Sequence, residues 1–188
     1  MKAASSAKIK EGGMIEVDNQ ILLKLYSLYQ KELYLYLYSL CGDRHLAEDL
    51  LHETFLKALL ALPDRHSNMR AWLYMVARNL FYNQQKKKSR EILMDEQIYP
   101  LEEKKDEDLL EKIFEEEDRR MLYQAIRRLD INKREIIQMQ YFGGMTQKEI
   151  AAVLHITLEN VRVLAYRARK ELKNIWKSVE RRTPNDVS

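Results

Sequence analysis

Apolar residues recur at intervals of three and four through most of the chain, the period of a buried helix face. In NQILLKLYSLYQKELYLYLYSLCGD, Leu22, Leu25, Tyr29, Leu33, Tyr36, Leu37 and Leu40 share one stripe, and Gly42 supplies a stop. The inner LYLYLY alternates like a strand, but its surroundings predict a helix. Asp43 is placed to cap a second helix, RHLAEDLLHETFLKALLAL. Its buried face is Leu46, Ala47, Leu50, Leu51, Thr54, Phe55, Ala58 and Leu59; its wet face is Glu48, Asp49, His52, Glu53 and Lys57. Pro63, in PDRHSN, disfavours helix before it. A third helix, MRAWLYMVARNLFYNQQKKK, is predicted to bury Leu73, Val76, Ala77 and Leu80 and to display Arg70, Tyr74, Arg78, Tyr82 and the terminal lysines.

Residues 91–117 show little apolar periodicity before Leu109, Leu110, Ile113 and Phe114, so this stretch cannot bury a core of its own and reads as a flexible linker. Periodicity returns in DRRMLYQAIRRL, with Leu122, Ala125, Ile126 and Leu129 inward, and in INKREIIQMQYFGG, ended by Gly143 and Gly144. Next comes MTQKEIAAVLHITLENVRVLAYRARKEL. Thr146 and Glu149 form a T-x-x-E capping box, and Ile150, Ala151 and Leu154 point inward from the short helix it starts. The following helix places Val161, Leu164, Ala165, Ala168 and Leu172 on one stripe and Glu159, Arg162, Val163, Tyr166, Arg167, Lys170 and Lys173 opposite. This is the helix-turn-helix pattern, with a hydrophilic second helix sized for a major groove. His155 stands where glycine is usual because the turn needs a positive φ, which histidine tolerates better than bulkier residues. Taken alone, the stretch also fits a plain helical hairpin with a solvated basic face.

The expected architecture is therefore all-α: two small helical domains at 18–90 and 118–177, an acidic linker at 91–117, and a flexible leader (1–17) and tail (178–188). Composition agrees. Of 188 residues, 46% are hydrophobic and 32% charged, with only 5 Gly and 3 Pro, which favours helix over sheet. The one cysteine, Cys41, excludes an internal disulfide and a thiolate metal cage and fits a reducing cytoplasm. No apolar run reaches the roughly 18 residues of a membrane span. Neither that nor a signal peptide is visible, so no membrane insertion is expected.

Net charge is only +3, but the charges are segregated. NQQKKKSR and the stretch from Arg162 to Lys173 are basic, and EEKKDEDLLEKIFEEED between them is mainly acidic. Two basic blocks suggest two contact surfaces for a polyanion. His45, Asp49 and His52 have a spacing that invites a metal reading. A dinuclear carboxylate site would want matching ligands on partner helices, and no second such motif occurs, so no metal is expected. No nucleophile–base pair or phosphate-cradling glycine loop is visible, which points away from an enzyme and from any cofactor.

Three stretches, AEDLLHETFLKAL, RAWLYMVARNLFYNQQKKK and LDINKREIIQMQYFGGMTQKEIAAVLHITLENVRVLAYRARKEL, occur in the order and spacing of the extracytoplasmic-function (ECF) group of bacterial sigma-70-family initiation factors. The resemblance runs over residues 21–176. It implies a sigma-2 domain that grips the β′ clamp helices of core RNA polymerase and opens the −10 element, and a sigma-4 domain that reads the −35 element and docks on the β flap. It further implies that the acidic linker enters the polymerase cleft and that an anti-sigma factor is a partner. By the same resemblance Asp49, His52 and Glu53 contact the clamp, with His52 where the family usually carries glutamine.

Opening a duplex means unstacking and unpairing bases, a cost recovered when an extruded base finds a polar pocket and the strand finds rings and cations. On this chain Asn68 is the candidate base-edge contact, with Arg70, Trp72, Tyr74, Arg78, Asn79, Tyr82, Lys86 and Lys87 as further −10 candidates. The −35 candidates are Glu159, Asn160, Arg162, Val163, Tyr166, Arg167 and Lys170. The partners expected are thus core RNA polymerase and double-stranded and melted promoter DNA. The alternative is a free-standing helix-turn-helix repressor or activator.

Overall fold

The computed structural model describes residues 19–61, 68–94 and 117–180. Seven α-helices make up their regular structure, and no strand occurs among them. They are α1 (Asn19–Cys41), α2 (Arg44–Ala61), α3 (Met69–Met94), α4 (Glu117–Arg127), α5 (Ile131–Tyr141), α6 (Gln147–Leu154) and α7 (Leu158–Glu180). The all-α expectation holds. The expected leader and nearly all of the expected linker and tail lie outside the described residues, as does most of the loop before Asn68. Helix α3 runs on to Met94, past the lysine run where the linker was expected to begin.

The helix ends follow local chemistry. Gly42 has φ 67°, and its N–H donates to Tyr38 O at 2.9 Å, closing α1. Asp43 Oδ1 accepts from Leu46 N at 3.0 Å and starts α2. Asn68 Oδ1 accepts from Ala71 N at 3.0 Å and starts α3. Asp130 caps α5 through Lys133 N. The capping box of Thr146 and Glu149 is complete, and α6 ends at His155 in the left-handed region, φ 55° and ψ 42°.

Helix α1 lies at the centre. Every residue from Leu35 to Leu40 is buried, Ser39 included. A helix buried all round must be covered on every side. Helices α2 and α3 cover α1 from within the N-terminal part, and α5 covers it from the C-terminal part. Tyr123 of α4 reaches the same surface and donates to Leu35 O at 2.7 Å. LYLYLY alternates because this helix has no wet face there. One apolar cluster consequently joins residues of both predicted domains, from Leu33 and Leu37 through Leu73 and Phe81 to Ile136, Met139, Ile150 and Val161. A smaller cluster of Ile126, Leu129, Ile137 and Ala168 lies within 117–180.

Helix α2 buries most of the face read from its sequence, with Leu46 and Leu59 only partly covered. Helix α3 does not: Tyr74, expected on display, is fully buried, as is Phe81, whereas Val76 and Leu80 are only partly covered. The cause is a second contact, because α6 packs onto α3 and enlarges its apolar arc. Val153 of α6 is buried, while Ala151 and Leu154, expected inward, are only partly so.

Candidate functional site

Helices α6 and α7 form the helix-turn-helix. Ile150, Val153, Val161 and Ala165 are buried between them and the core. The left-handed backbone at His155 reverses the chain, and Thr157 Oγ1 accepts from Asn160 N at 3.2 Å, fixing the first turn of α7. Burying one stripe of α7 turns the other out. Glu159, Asn160, Arg162, Val163, Tyr166, Arg167 and Lys170 are all exposed. Arg162 and Glu159 approach only to 4.0 Å, an exposed pair of little strength that leaves the guanidinium available. The face offers a bidentate donor fork, an aromatic ring and a row of cations, the groups that read base edges and hold phosphates.

A second exposed stripe follows α2. Asp49, His52 and Glu53 all face water, with Lys57 3.7 Å from Glu53. The same stripe continues through Leu56 and Leu60, which are 53% and 68% exposed. Positions 49, 52, 53, 56 and 60 follow the three-and-four rhythm of one helix face. An acidic start with an apolar continuation suits a partner helix better than water. Sequence reading missed the two leucines because each looks like an ordinary core residue; their phase relative to Thr54, Phe55 and Ala58 is the signal that separates them.

The third group of candidates is not an open surface. Asn68 Nδ2 donates to Glu149 Oε1 of α6. Arg70 Nε contacts Glu32 Oε1 at 3.1 Å and lies over the Tyr29 ring. Tyr74 is fully buried, with its ring tilted against Tyr36. Arg78 Nε donates to Glu135 Oε1 of α5 at 2.9 Å, and Tyr82 Oη donates to Glu135 Oε2 at 3.1 Å. Trp72 is partly buried against the apolar cluster. Only Asn79, Lys86 and Lys87 of this group are exposed.

Glu135 is the residue that sequence reading overlooked. It is 1% exposed and accepts from three donors of the N-terminal part, the third being Tyr36 Oη at 2.7 Å. A buried carboxylate persists only when paired and hydrogen-bonded, and here it is both. Burial, then the Glu135 charge, push the Tyr36 pKa well above its ordinary value and that of Tyr82 up to about 12, so both stay protonated donors. Burial works against the charge on Arg78; attraction to Glu135 and the hydrogen bond more than offset it, and its pKa rises. Two more bonds cross the same seam, Arg134 Nη1 to Ser39 O at 2.6 Å and Tyr123 to Leu35 O. The signal for Glu135 was a lone acid among apolar residues in EIIQM; its partners lie 53 to 99 positions away in sequence.

Among the described residues no group of three or more His, Cys, Asp or Glu is arranged to hold a metal ion, and His45, Asp49 and His52 all face water. No described helix is long and apolar enough to cross a membrane.

Comparison with known proteins agrees with this geometry. The family description for Sigma-70 region 2 matches residues 25–91, and that for Sigma-70, region 4 matches residues 119–172. The chain is 30% identical over 163 residues to the ECF RNA polymerase sigma factor SigM of Bacillus subtilis, covering 81% of this chain and 93% of that one. It is 31% identical to the RNA polymerase sigma factor YlaC of the same organism, covering 83% and 92%. The fold is similar to that of the sigma factor RpoE from Bartonella quintana, solved in complex with the anti-sigma factor NepR. That TM-score is 0.67, at 24% identity and covering 84% of this chain and 98% of that one.

Proposed function

We propose the following division of labour for this chain, which belongs to the ECF group of the sigma-70 family of RNA polymerase sigma factors. It is a promoter-recognising initiation factor. Residues 18–90 serve as the sigma-2 domain and 118–177 as the sigma-4 domain. The outward face of α7 reads the −35 element, with Glu159, Asn160, Arg162, Val163, Tyr166 and Arg167 near base edges and Lys170 on phosphate. The α2 stripe of Asp49, His52 and Glu53, continued by Leu56 and Leu60, docks on the β′ clamp helices. Asn68 takes a base edge of the −10 element. Arg70, Trp72, Arg78, Asn79, Tyr82, Lys86 and Lys87 hold the opened strand. Tyr74, buried in the core, is left out of this set. The chemistry of RNA synthesis belongs to the polymerase; the chain acts in the cytoplasm as a non-enzymatic subunit under the control of an anti-sigma factor.

The observation that supports this reading best is the exposed outer face of α7 above a buried stripe of Val161, Ala165 and Ala168. A free-standing regulator would need only the helix-turn-helix part, so the region 2 match over residues 25–91 favours the initiation factor. The test is transcription with purified chain and core RNA polymerase on a library of promoter fragments. Transcripts confined to templates sharing a −35 and a −10 motif are expected. No polymerase binding, with sequence-specific binding of the free chain to duplex DNA, would favour the regulator.

A further inference from the structure

We propose that Val163 reads the C5 methyl group of one thymine in the −35 element and so fixes an A·T pair at that position. The inference rests on the assignment of the α7 face to this element, and deepens it by naming the chemical group that is recognised.

Geometry comes first. Successive residues of an α-helix turn by about 100°, so the spacing of the buried Val161, Ala165 and Ala168 fixes the direction opposite them. Among residues 158–167, Val163 lies closest to that direction, within about 15° by the same helical geometry. Glu159 and Tyr166 lie further round, and Arg162 and Arg167 flank the face on either side. A recognition helix brings the N-terminal half of its outward face to the base edges. The side chain at the middle of that half, the one that meets the groove floor, is a valine.

Exposure and chemistry follow. Val163 is 46% exposed, and Tyr166, one turn on, is 63% exposed. Residues three apart are neighbours on a helix surface, so an isopropyl group and a ring lie side by side between the two arginines. Valine neither donates nor accepts a hydrogen bond. In the major groove adenine, cytosine and guanine present amino groups and acceptors, and only thymine adds an apolar group, its C5 methyl. A polar base edge set against the isopropyl group would lose water and gain no hydrogen bond, which is a cost. The thymine methyl gains by leaving water. Branching at Cβ holds valine in one preferred rotamer on a helix, so the contact surface is already ordered before DNA arrives.

The test uses core polymerase loaded with the full chain and a promoter duplex chosen by library selection. Each thymine of its −35 element, on either strand, is replaced in turn by deoxyuridine, which lacks only the C5 methyl. One replacement should weaken binding about fourfold, the equivalent of about 0.8 kcal/mol for one buried carbon. Val163→Ala should bind the dT and dU duplexes equally well, and its selected motif should lose that one A·T pair and keep the rest. Val163→Ile keeps a branched apolar group and should keep the preference. The side chain is exposed, so thermal melts of both variants should match the unaltered chain. Equal binding of every dU duplex by the unaltered chain, with the selected motif still sharp, would overturn the methyl contact and leave the −35 assignment standing. A dU penalty that persists in Val163→Ala would move the contact to another side chain or to DNA shape, and would overturn the role of Val163. A selected −35 motif without an A·T pair would overturn it as well. Absence of any −35 sequence preference in the unaltered chain would instead remove the assignment on which the inference rests.

Discussion

The hydroxyl of Tyr74 stands so close to Gly143 that a methyl group there would lie 2.6 Å from it and 2.7 Å from Met139 O. The first neighbour is the tip of a fully buried ring, whose Cζ would lie at 2.9 Å; the other is helix backbone, and neither has room to move aside. Gly143→Ala should therefore cost about 1–3 kcal/mol as an overpacked site. Tyr74→Phe should restore only part of that loss. Thermal denaturation of the single and double variants measures both, and full recovery in the double variant would place the whole clash on the hydroxyl.

His155 carries the left-handed turn of the helix-turn-helix, at φ 55°. The strain of an L-residue there is relieved by glycine, so His155→Gly should stabilise the protein by about 1 kcal/mol. His155→Val, β-branched, should destabilise it. Denaturant midpoints for the pair decide the point, since a stabilising valine would mean that the turn is not under this constraint.

Burial lifts the Glu32 carboxyl from 4.5 to about 7, only partly countered by Arg70. Between those values the folded chain holds a proton that the unfolded chain has released. Its contribution is thus fully present below pH 4.5 and is lost as pH rises through 7. The stability of the protein relative to Glu32→Gln should fall across that window. Melting temperatures of both proteins in matched buffers give the difference, and a difference that rises with pH would contradict the assignment.

Asp49→Arg with Glu53→Arg reverses two charges on the exposed stripe of α2 without touching Leu50, Thr54 or Phe55. Affinity for core polymerase should drop at least tenfold, about 1.4 kcal/mol or more, because like charges facing each other at an interface cost several kcal/mol. Helix content by circular dichroism should be unchanged. Leu60→Ser should weaken the same contact. Undiminished capture of polymerase by the double variant would remove this stripe from the interface.

Arg162→Ala should relax base preference at one or two −35 positions, since a bidentate contact to guanine discriminates by about 1–3 kcal/mol. Lys170→Ala, a phosphate contact, should weaken all promoters alike and flatten the salt dependence by about 0.9 in the log–log slope. A promoter-library selection on each variant reads both effects. Uniform weakening with an unchanged sequence preference in Arg162→Ala would displace base reading to another part of the face.

Local rules were enough to read the elements. The capping box at Thr146, the cap at Asp43 and the glycine at 42 act within four residues, so their consequences follow from short stretches of sequence. The buried and wet faces of α2 and α7 were legible for the same reason: each helix packs on one side, and a single-sided helix writes its burial into a single stripe. Helices α1 and α3 did not yield to that reasoning, because each is covered from two directions. LYLYLY lost its stripe, and Tyr74 moved inward while Val76 and Leu80 moved partly out. The seam was wholly a matter of tertiary structure. Glu135 becomes a buried acceptor only when Tyr36, Arg78 and Tyr82 are brought to it from another part of the chain. The sequence by itself determined which cations, acids and rings the helices carry; the fold decided which of them face water and which are held inside the seam. Periodicity records how much of a helix is buried, but not against what, and the charge of a residue does not name the partner that neutralises it.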